Sequence, residues 1–291
     1  MSMKKISYAL IVGLMCFSLM AQAQQVGPRL RAIMTYKYGQ SREPLTVVED
    51  MVKVSLQFPA QQKRLAAQLA ALLGSQATPD CKLFVCRQLA LIGGPENVPA
   101  IAPLLLNPKT NDMARYALEP IPGKQADKAL LNALGKTSGA SKVGILNVLG
   151  QRKCEAAVGD VAKLTTDSDP EVAEAAINTL AVIGGTRAIT KLESARDEVT
   201  PKLRDNVSDA LLLCADHLMT AGKSRKAARV YRKVGGPEEP SRIQVAAFAG
   251  QVHCASRHKA SRLIQEGLKS KNAAIREAAT GLQEQREMMK K

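Results

Sequence analysis

The chain has 291 residues, of which 46% are hydrophobic and 3% aromatic, and it contains no tryptophan. Its 41 basic and 26 acidic residues give a formal net charge of +15. So few aromatic side chains disfavour a protein that binds nucleic acid by stacking on bases. The three histidines leave few candidates for general acid–base catalysis.

The first 23 residues have the pattern of a secretory signal peptide. Lys4 and Lys5 form a basic start, an apolar stretch runs from Ala9 to Met20, and a cleavage site of the A-x-A type ends at Ala23. The apolar stretch is shorter than the roughly 20 residues that a transmembrane helix needs. We therefore expect cleavage after Ala23 and export of the mature chain, to the periplasm or beyond. An uncleaved membrane anchor is the alternative.

Residues 24–57 are predicted to be a linker followed by a helix that caps the N-terminal end of the fold. Such a helix is needed because the first unit of a helical stack otherwise leaves one apolar side uncovered. From Pro44 to Gln57 apolar residues recur at helical spacing. The side chains expected on its buried face are Leu45, Val48, Met51, Val52 and Leu56.

The stretch from Asp169 to Ala195 contains the clearest structural unit. Asp169 is a favourable N-cap, and proline follows it at the first helical position. Apolar residues then recur at steps of three and four until Gly184-Gly185, which predicts the end of the helix. Thr186 is expected to cap a second, shorter amphipathic helix. Two such helices cannot bury their shared apolar face alone, so units of this kind stack on one another.

The same succession of helix, turn and helix recurs in Thr78–Leu106, Asn111–Leu134 and Ser138–Thr165. The block DPEVAEAAINTLAVIGG, with the short helix after it, resembles a HEAT repeat of the bacterial type with an IGG turn. This resemblance extends over about Pro59–Ala195. It implies an all-α fold, a right-handed α-solenoid of stacked antiparallel helix pairs, and we assign these HEAT-like repeats to residues 58–199. A HEAT unit carries no chemistry of its own, so the resemblance implies little about activity.

Residues 200–291 are predicted to hold degenerate repeats and a C-terminal cap. The segment Val207–Val234 spaces its small and aromatic residues as a tetratricopeptide (TPR) repeat does, and a degenerate HEAT unit fits it nearly as well. Ile243–Lys269 reads as a further helix pair, and Asn272–Lys291 as a final polar helix. Both kinds of repeat form α-solenoids, so the predicted architecture does not depend on the choice.

Five cysteines remain after the signal segment, and this odd number argues against a full disulfide framework. Most are expected to be small buried hydrophobic residues. One set has the donor atoms of a zinc site: Cys214 and His217 on one helix, with His253, Cys254 and His258 in the next unit. Because Cys214 continues an apolar run, the interpretation as a core cysteine is preferred, and we predict neither a metal nor a cofactor.

The positive charge is concentrated near the C-terminus, where residues 200–291 contain 18 basic and 9 acidic side chains. In the helix Ser224–Val234, the apolar residues are expected to face inward. Its basic residues then share the outer side and are the candidate contacts for an anion or a partner. They are Arg225, Lys226, Arg229, Arg232 and Lys233. The alternative is a solvated cationic face without a ligand.

No glycine-rich phosphate loop, nucleophile elbow or paired-carboxylate motif occurs in the sequence. The sequence therefore predicts an exported HEAT-repeat scaffold that mediates protein–protein interaction and is not an enzyme. The alternative is a basic-face binder of an anionic polymer or membrane surface, with nucleic acid disfavoured. A HEAT-like lyase is the least favoured possibility, because no particular residue supports it.

Overall fold

The structure, a computed structural model, describes residues 27–288. The predicted signal segment 1–23 lies outside these residues. The chain forms two compact units, Met1–Ile145 and Leu146–Lys291. Every regular element between residues 27 and 288 is a helix, as the sequence predicts. Within the same range, none of the helices combines the length and the apolar character that crossing a bilayer requires.

The first unit contains seven helices and the start of an eighth among its described residues. Short 3-10 segments, Pro95–Asn97 and Ala102–Leu106, flank α5. The α-helices are α1 Pro28–Ala32, α2 Glu43–Ser55, α3 Pro59–Leu73, α4 Pro79–Ile92, α5 Val98–Ile101, α6 Asn111–Leu118, α7 Lys124–Leu134 and α8 Gly139–Gln151, which continues past Ile145.

The second unit continues with longer helices and short connections. Two 3-10 segments, Glu155–Ala157 and Leu164–Thr166, flank its first short helix. The α-helices are α9 Val158–Lys163, α10 Pro170–Ile183, α11 Gly185–Glu198, α12 Pro201–Thr220, α13 Ser224–Val234, α14 Ser241–Cys254, α15 Arg257–Leu268 and α16 Ala273–Met288.

Within each unit, alternate helices pack side by side in two layers. In the first unit α4 packs against α6, while α3 packs against α5 and α5 against α7. In the second unit α10, α12, α14 and α16 follow one another in one layer, and α9 packs against α11 in the other. Each helix buries its apolar stripe against its partner and against the neighbouring pair. This is the packing of an α-solenoid.

The turn between α10 and α11 follows from its sequence. The Asp169 carboxylate accepts a hydrogen bond from the amide of Glu171 (3.0 Å) and caps α10. The helix ends at Ile183 because Gly184 adopts φ +68°, a conformation open to glycine. The prediction that Thr186 caps the second helix is wrong. Gly184 is the N-cap and α11 begins at Gly185, because two consecutive glycines with positive φ reverse the chain without a spacer.

A helix forms in the segment predicted to cap the fold, but two of the residues expected on its buried face are placed differently. In α2, Leu45, Val48 and Val52 are buried, as the helical spacing predicts. The spacing also predicts Met51 and Leu56 on the buried face, yet Met51 is only half-buried and 54% of Leu56 is exposed. The helix ends at Ser55, and Leu56 belongs to the turn toward α3, so the helical periodicity no longer fixes its direction.

Candidate anion-binding groove

Helix α13 places its charges on one side because its apolar residues anchor it on the other. Ala227, Val230, Tyr231 and Val234 are all buried. The five candidate residues of the sequence analysis project from the remaining surface, and each is exposed. Their neighbours differ, however, and this difference decides what each can do.

Tyr231 fixes the position of α13 between α12 and α14. Its ring packs where Gly250 of α14 has no side chain: a Cβ at that position would lie 2.5 Å from the ring carbons. Its hydroxyl donates a hydrogen bond to the Asp216 carboxylate of α12. Burial and this hydrogen bond raise the pKa of Tyr231 well above its usual range. The phenol therefore stays protonated and remains a donor.

Two of the five candidate residues, Arg225 and Arg232, line a groove between α13 and α15. Lys259 and Arg262 of α15 line it from the opposite side, and the end of α14 forms its floor with Gln251 and Cys254. We call this the basic groove; it encloses about 660 Å³. Arg225 and Arg232 are two helical turns apart, which separates them by about 10 Å along the helix axis. The remaining lining residues are Ala228, Ala255, Ser256 and Leu263.

The cations of the basic groove are largely unneutralised. Arg225, Arg232 and Lys259 form no ion pair with any residue in the range 27–288, and Arg262 has only a long, exposed contact with Glu266 (3.6 Å). No carboxylate is among the lining residues. Like charges held together in a concave site attract anions more strongly than scattered surface charges do.

Two further groups at the groove keep its potential positive. Burial, together with the nearby Asp216 carboxylate, raises the pKa of the Cys254 thiol, so the floor carries no thiolate charge. At the rim, Ser256 is the N-cap residue of α15, but its side chain makes no capping hydrogen bond, and the first turn holds no acidic residue. The positive end of this helix dipole therefore adds to the side-chain charges.

The other three candidate residues do not line the basic groove. Lys233 points toward α11 and forms an ion pair with Glu193 (2.8 Å). Lys226 and Arg229 are exposed and make no ion pair among the described residues. The structure thus separates a set that a helical wheel places on one face. It adds Lys259 and Arg262, which do not belong to the basic side of α13 that the sequence predicts. Both residues lie on one side of α15, the second helix of the next pair. This helical spacing is the sequence signal that could have identified them.

On the side of α13 that faces α11, the positive charges are neutralised by acidic residues. Besides the pair of Lys233 with Glu193, Arg196 of α11 forms an ion pair with Glu239 in the connection from α13 to α14. The Glu239 side chain is only 2% exposed. Acidic partners therefore tie α13 and its following loop to α11, whereas the side that faces α15 has none.

The residues of the possible zinc set do not form a metal site. Cys214 is buried in α12, where its Sγ lies 3.7 Å from the Ala181 carbonyl oxygen, and burial raises its pKa to about 12. His217 and His253 are exposed. Over residues 27–288, no three His, Cys, Asp or Glu side chains are grouped closely enough to hold a metal ion. Cys81, Cys86 and Cys154 are buried in the same manner, as the sequence predicts for core cysteines.

Comparison with known proteins finds a repeat family over part of the chain. Residues 127–211 match the family model for HEAT repeats. No curated protein sequence is significantly similar to the chain. Among solved structures, the crystal structure of an engineered protein is similar at 17% identity, covering 86% of this chain and 81% of that one, with a TM-score of 0.37. The fold assignment rests on the packing of the helices and on the HEAT-repeat match. The chain is thus an all-α protein of the α-solenoid class in which residues 127–211 are similar to HEAT repeats.

Proposed function

We propose that this protein is an exported scaffold that binds an acidic segment of a protein partner in the basic groove and catalyses no reaction of its own. HEAT repeats typically build scaffolds for protein–protein interaction. The observation that carries the proposal is the row of unpaired cations, Arg225, Arg232 and Lys259, in a concave site. Export is supported by the signal-peptide pattern of residues 1–23.

The dimensions of the basic groove favour a segment over a single small anion. The backbone positions of Arg225 and Arg232 lie about 10 Å apart along α13, so the cationic lining extends over two helical turns. A peptide with several acidic side chains can contact both arginines and reach Lys259 across the groove. The apolar atoms of Ala228, Ala255 and Leu263 between the charges can pack against the aliphatic part of such a segment.

Affinity capture with charge-reversed variants tests this proposal. The tagged mature chain would be incubated with an envelope extract at about 0.05 and 0.5 M salt, where surface charges are weakly and strongly screened. The double variant Arg225→Glu/Arg232→Glu would be compared with Arg187→Glu/Lys191→Glu, which makes the same charge change at two exposed residues of α11. Only the groove variant is expected to lose the partner.

The expected size of this effect follows from the number of ion pairs. Two lost pairs and two new repulsions, at roughly 0.2–1 kcal/mol each, weaken binding by about 1–4 kcal/mol, or roughly 5- to 900-fold. The bound region of the partner should be acidic. Failure to recover a defined protein under several growth conditions, or capture that the groove variant leaves unchanged, would refute the proposal.

The same unpaired cations favour a second candidate function, binding of an anionic polymer or membrane surface. Residues 200–291 contain twice as many basic as acidic side chains, 18 against 9, and such excess charge attracts polyanions and anionic lipids. The probes are heparin and vesicles that contain an anionic lipid. Salt-sensitive binding to either probe, lost in Arg225→Glu/Arg232→Glu and without capture of a protein, would replace the first candidate by the second.

A further inference from the structure

The first unit contains a second groove, which is unrelated to the basic groove and has an apolar wall. It lies between α1, α2 and α3 and encloses about 690 Å³. We call it the apolar groove. The apolar residues of its wall on α2 are Val47, Met51 and Val54, with Asp50 and Ser55 beside them, and Leu65 of α3 contributes from the other side. Val47, Met51 and Val54 follow the helical spacing i, i+4, i+7 and therefore form one strip along α2.

Exposed hydrophobic residues are concentrated beside this groove. Ten large hydrophobic side chains are exposed within residues 27–288, and four of them fall between residues 47 and 58. These four are Val47 (39% exposed), Val54 (56%), Leu56 (54%) and Phe58 (48%). Val47 and Val54 line the groove itself. Exposed hydrophobic residues that share a groove mark an interaction surface, whereas scattered ones need no explanation.

The apolar strip on α2 is exposed because this helix has long neighbouring helices on one side only. Its buried side, with Leu45, Val48 and Val52, packs against α3 and α4. On its other side the described residues offer only α1, a helix of five residues, Pro28–Ala32. A five-residue helix spans only about 8 Å, which is too short to cover α2 along its length.

Unpaired cations frame the apolar strip. Arg29 of α1 and Arg64 of α3 both line the groove, and neither forms an ion pair with a described residue. The acidic residue in the lining, Asp50, already pairs with Lys53 (3.2 Å). A ligand complementary to this groove therefore carries apolar side chains for the strip and acidic side chains for the two arginines.

We propose that the apolar groove binds an amphipathic helix of a protein partner, with acidic residues flanking the apolar stripe of that helix. Docking of an apolar helical face into a groove uses anchors at i, i+3 or i+4, and i+7, which is the spacing that α2 presents. Acidic side chains of the bound helix pair with Arg29 and Arg64. The groove thus accepts a partner helix in the position that a further stacked helix would occupy.

A displayed library of random peptides of about 16 residues, long enough for four helical turns, tests this inference directly. Selection on the immobilised mature protein is expected to enrich acidic sequences with apolar residues at helical spacing. The enriched peptides would then be synthesised, and their affinities measured by fluorescence anisotropy. Val54→Asp and Arg64→Glu are each expected to weaken their binding about tenfold or more.

Leu213→Asp is the matched control, because Leu213 is a large hydrophobic residue of the second unit with a comparable exposure of 40%. It should leave peptide affinity unchanged, and circular dichroism would confirm that all variants fold. The inference is overturned if no helical acidic peptides are enriched, or if Val54→Asp binds them as tightly as the wild type. It is also overturned if Val54→Asp abolishes self-association or vesicle binding instead, because the occupant is then a second copy or a lipid surface.

Discussion

Substitution of Gly250 by alanine tests how α13 is held in place. An alanine Cβ would lie 2.5 Å from the Cε1 and Cζ atoms of the Tyr231 ring and 2.7 Å from its Cδ1. Carbon atoms pack favourably at about 3.5–4.0 Å, so the ring or the helix must move by about 1 Å. Tyr231 is only 1% exposed, and a buried ring cannot swing into solvent. The movement therefore strains the packing of α13 against α14.

Three contributions set the size of the effect. Overpacking a buried site costs about 1–3 kcal/mol, and loss of the Tyr231 hydrogen bond to the Asp216 carboxylate costs about 1.5–3 kcal/mol. Replacement of glycine by alanine within a helix stabilises the helix by about 1 kcal/mol, which offsets part of this cost. Gly250→Ala is thus expected to lower the free energy of unfolding by roughly 1.5–5 kcal/mol, which lowers Tm by roughly 3–20 °C for a chain of this size.

Thermal and urea unfolding monitored by circular dichroism measure this change. Gly281→Ala is the matched control, since Gly281 lies in α16 and a Cβ there would meet nothing within 4 Å. It should stabilise the protein by roughly 0.5–1 kcal/mol. In a Tyr231→Leu background, Gly250→Ala should lose most of its cost because the ring is absent. If Gly250→Ala is as stable as the wild type, Tyr231 does not pack on α14 as described.

Two further predictions concern buried charges and thiols. Arg196→Leu leaves the Glu239 carboxylate buried without its partner and should destabilise the fold by about 3–5 kcal/mol. By contrast, Lys233→Leu, which removes a more exposed pair, should cost at most about 1 kcal/mol. If urea unfolding shows a similar loss of stability for Arg196→Leu and Lys233→Leu, this expectation is contradicted. Burial raises the pKa of Cys86 from 9.0 to about 12, so only the unfolded thiol ionises just above pH 9. Between pH 9 and about pH 11, the wild type should lose stability faster than Cys86→Ala, by about 1.4 kcal/mol per pH unit. If the stabilities of the wild type and Cys86→Ala fall in parallel as the pH rises, this pH dependence is contradicted.

The helices could be predicted well because their signals are local. The Asp169 cap and the stop at Gly184 depend on residues within one helical turn, and both are present as predicted. The start of α11 was misplaced because the cap preference of Thr186 competes with a glycine pair that can reverse the chain by itself. Leu56 was misplaced because helical periodicity was extended past the last residue of α2.

The basic groove could be predicted only in part. A helical wheel correctly gives the buried side of α13, but its exposed arc is wide enough to face two different neighbours. Only the packing shows that Lys233 meets Glu193 of α11 while Arg225 and Arg232 face α15. The apolar groove gave no signal, because the sequence alone does not show which side of α2 lacks a full-length neighbour.

The sequence by itself determined the helical class, the repeated units, the buried stripes and the excess of positive charge near the C-terminus. These features follow from contacts between residues a few positions apart, or from composition. The tertiary structure alone decided which cations are neutralised, that Lys259 joins Arg232 across a groove, and that Val54 stays exposed. The physical reason is that charge pairing and burial depend on what packs opposite a residue, and those neighbours come from distant parts of the chain.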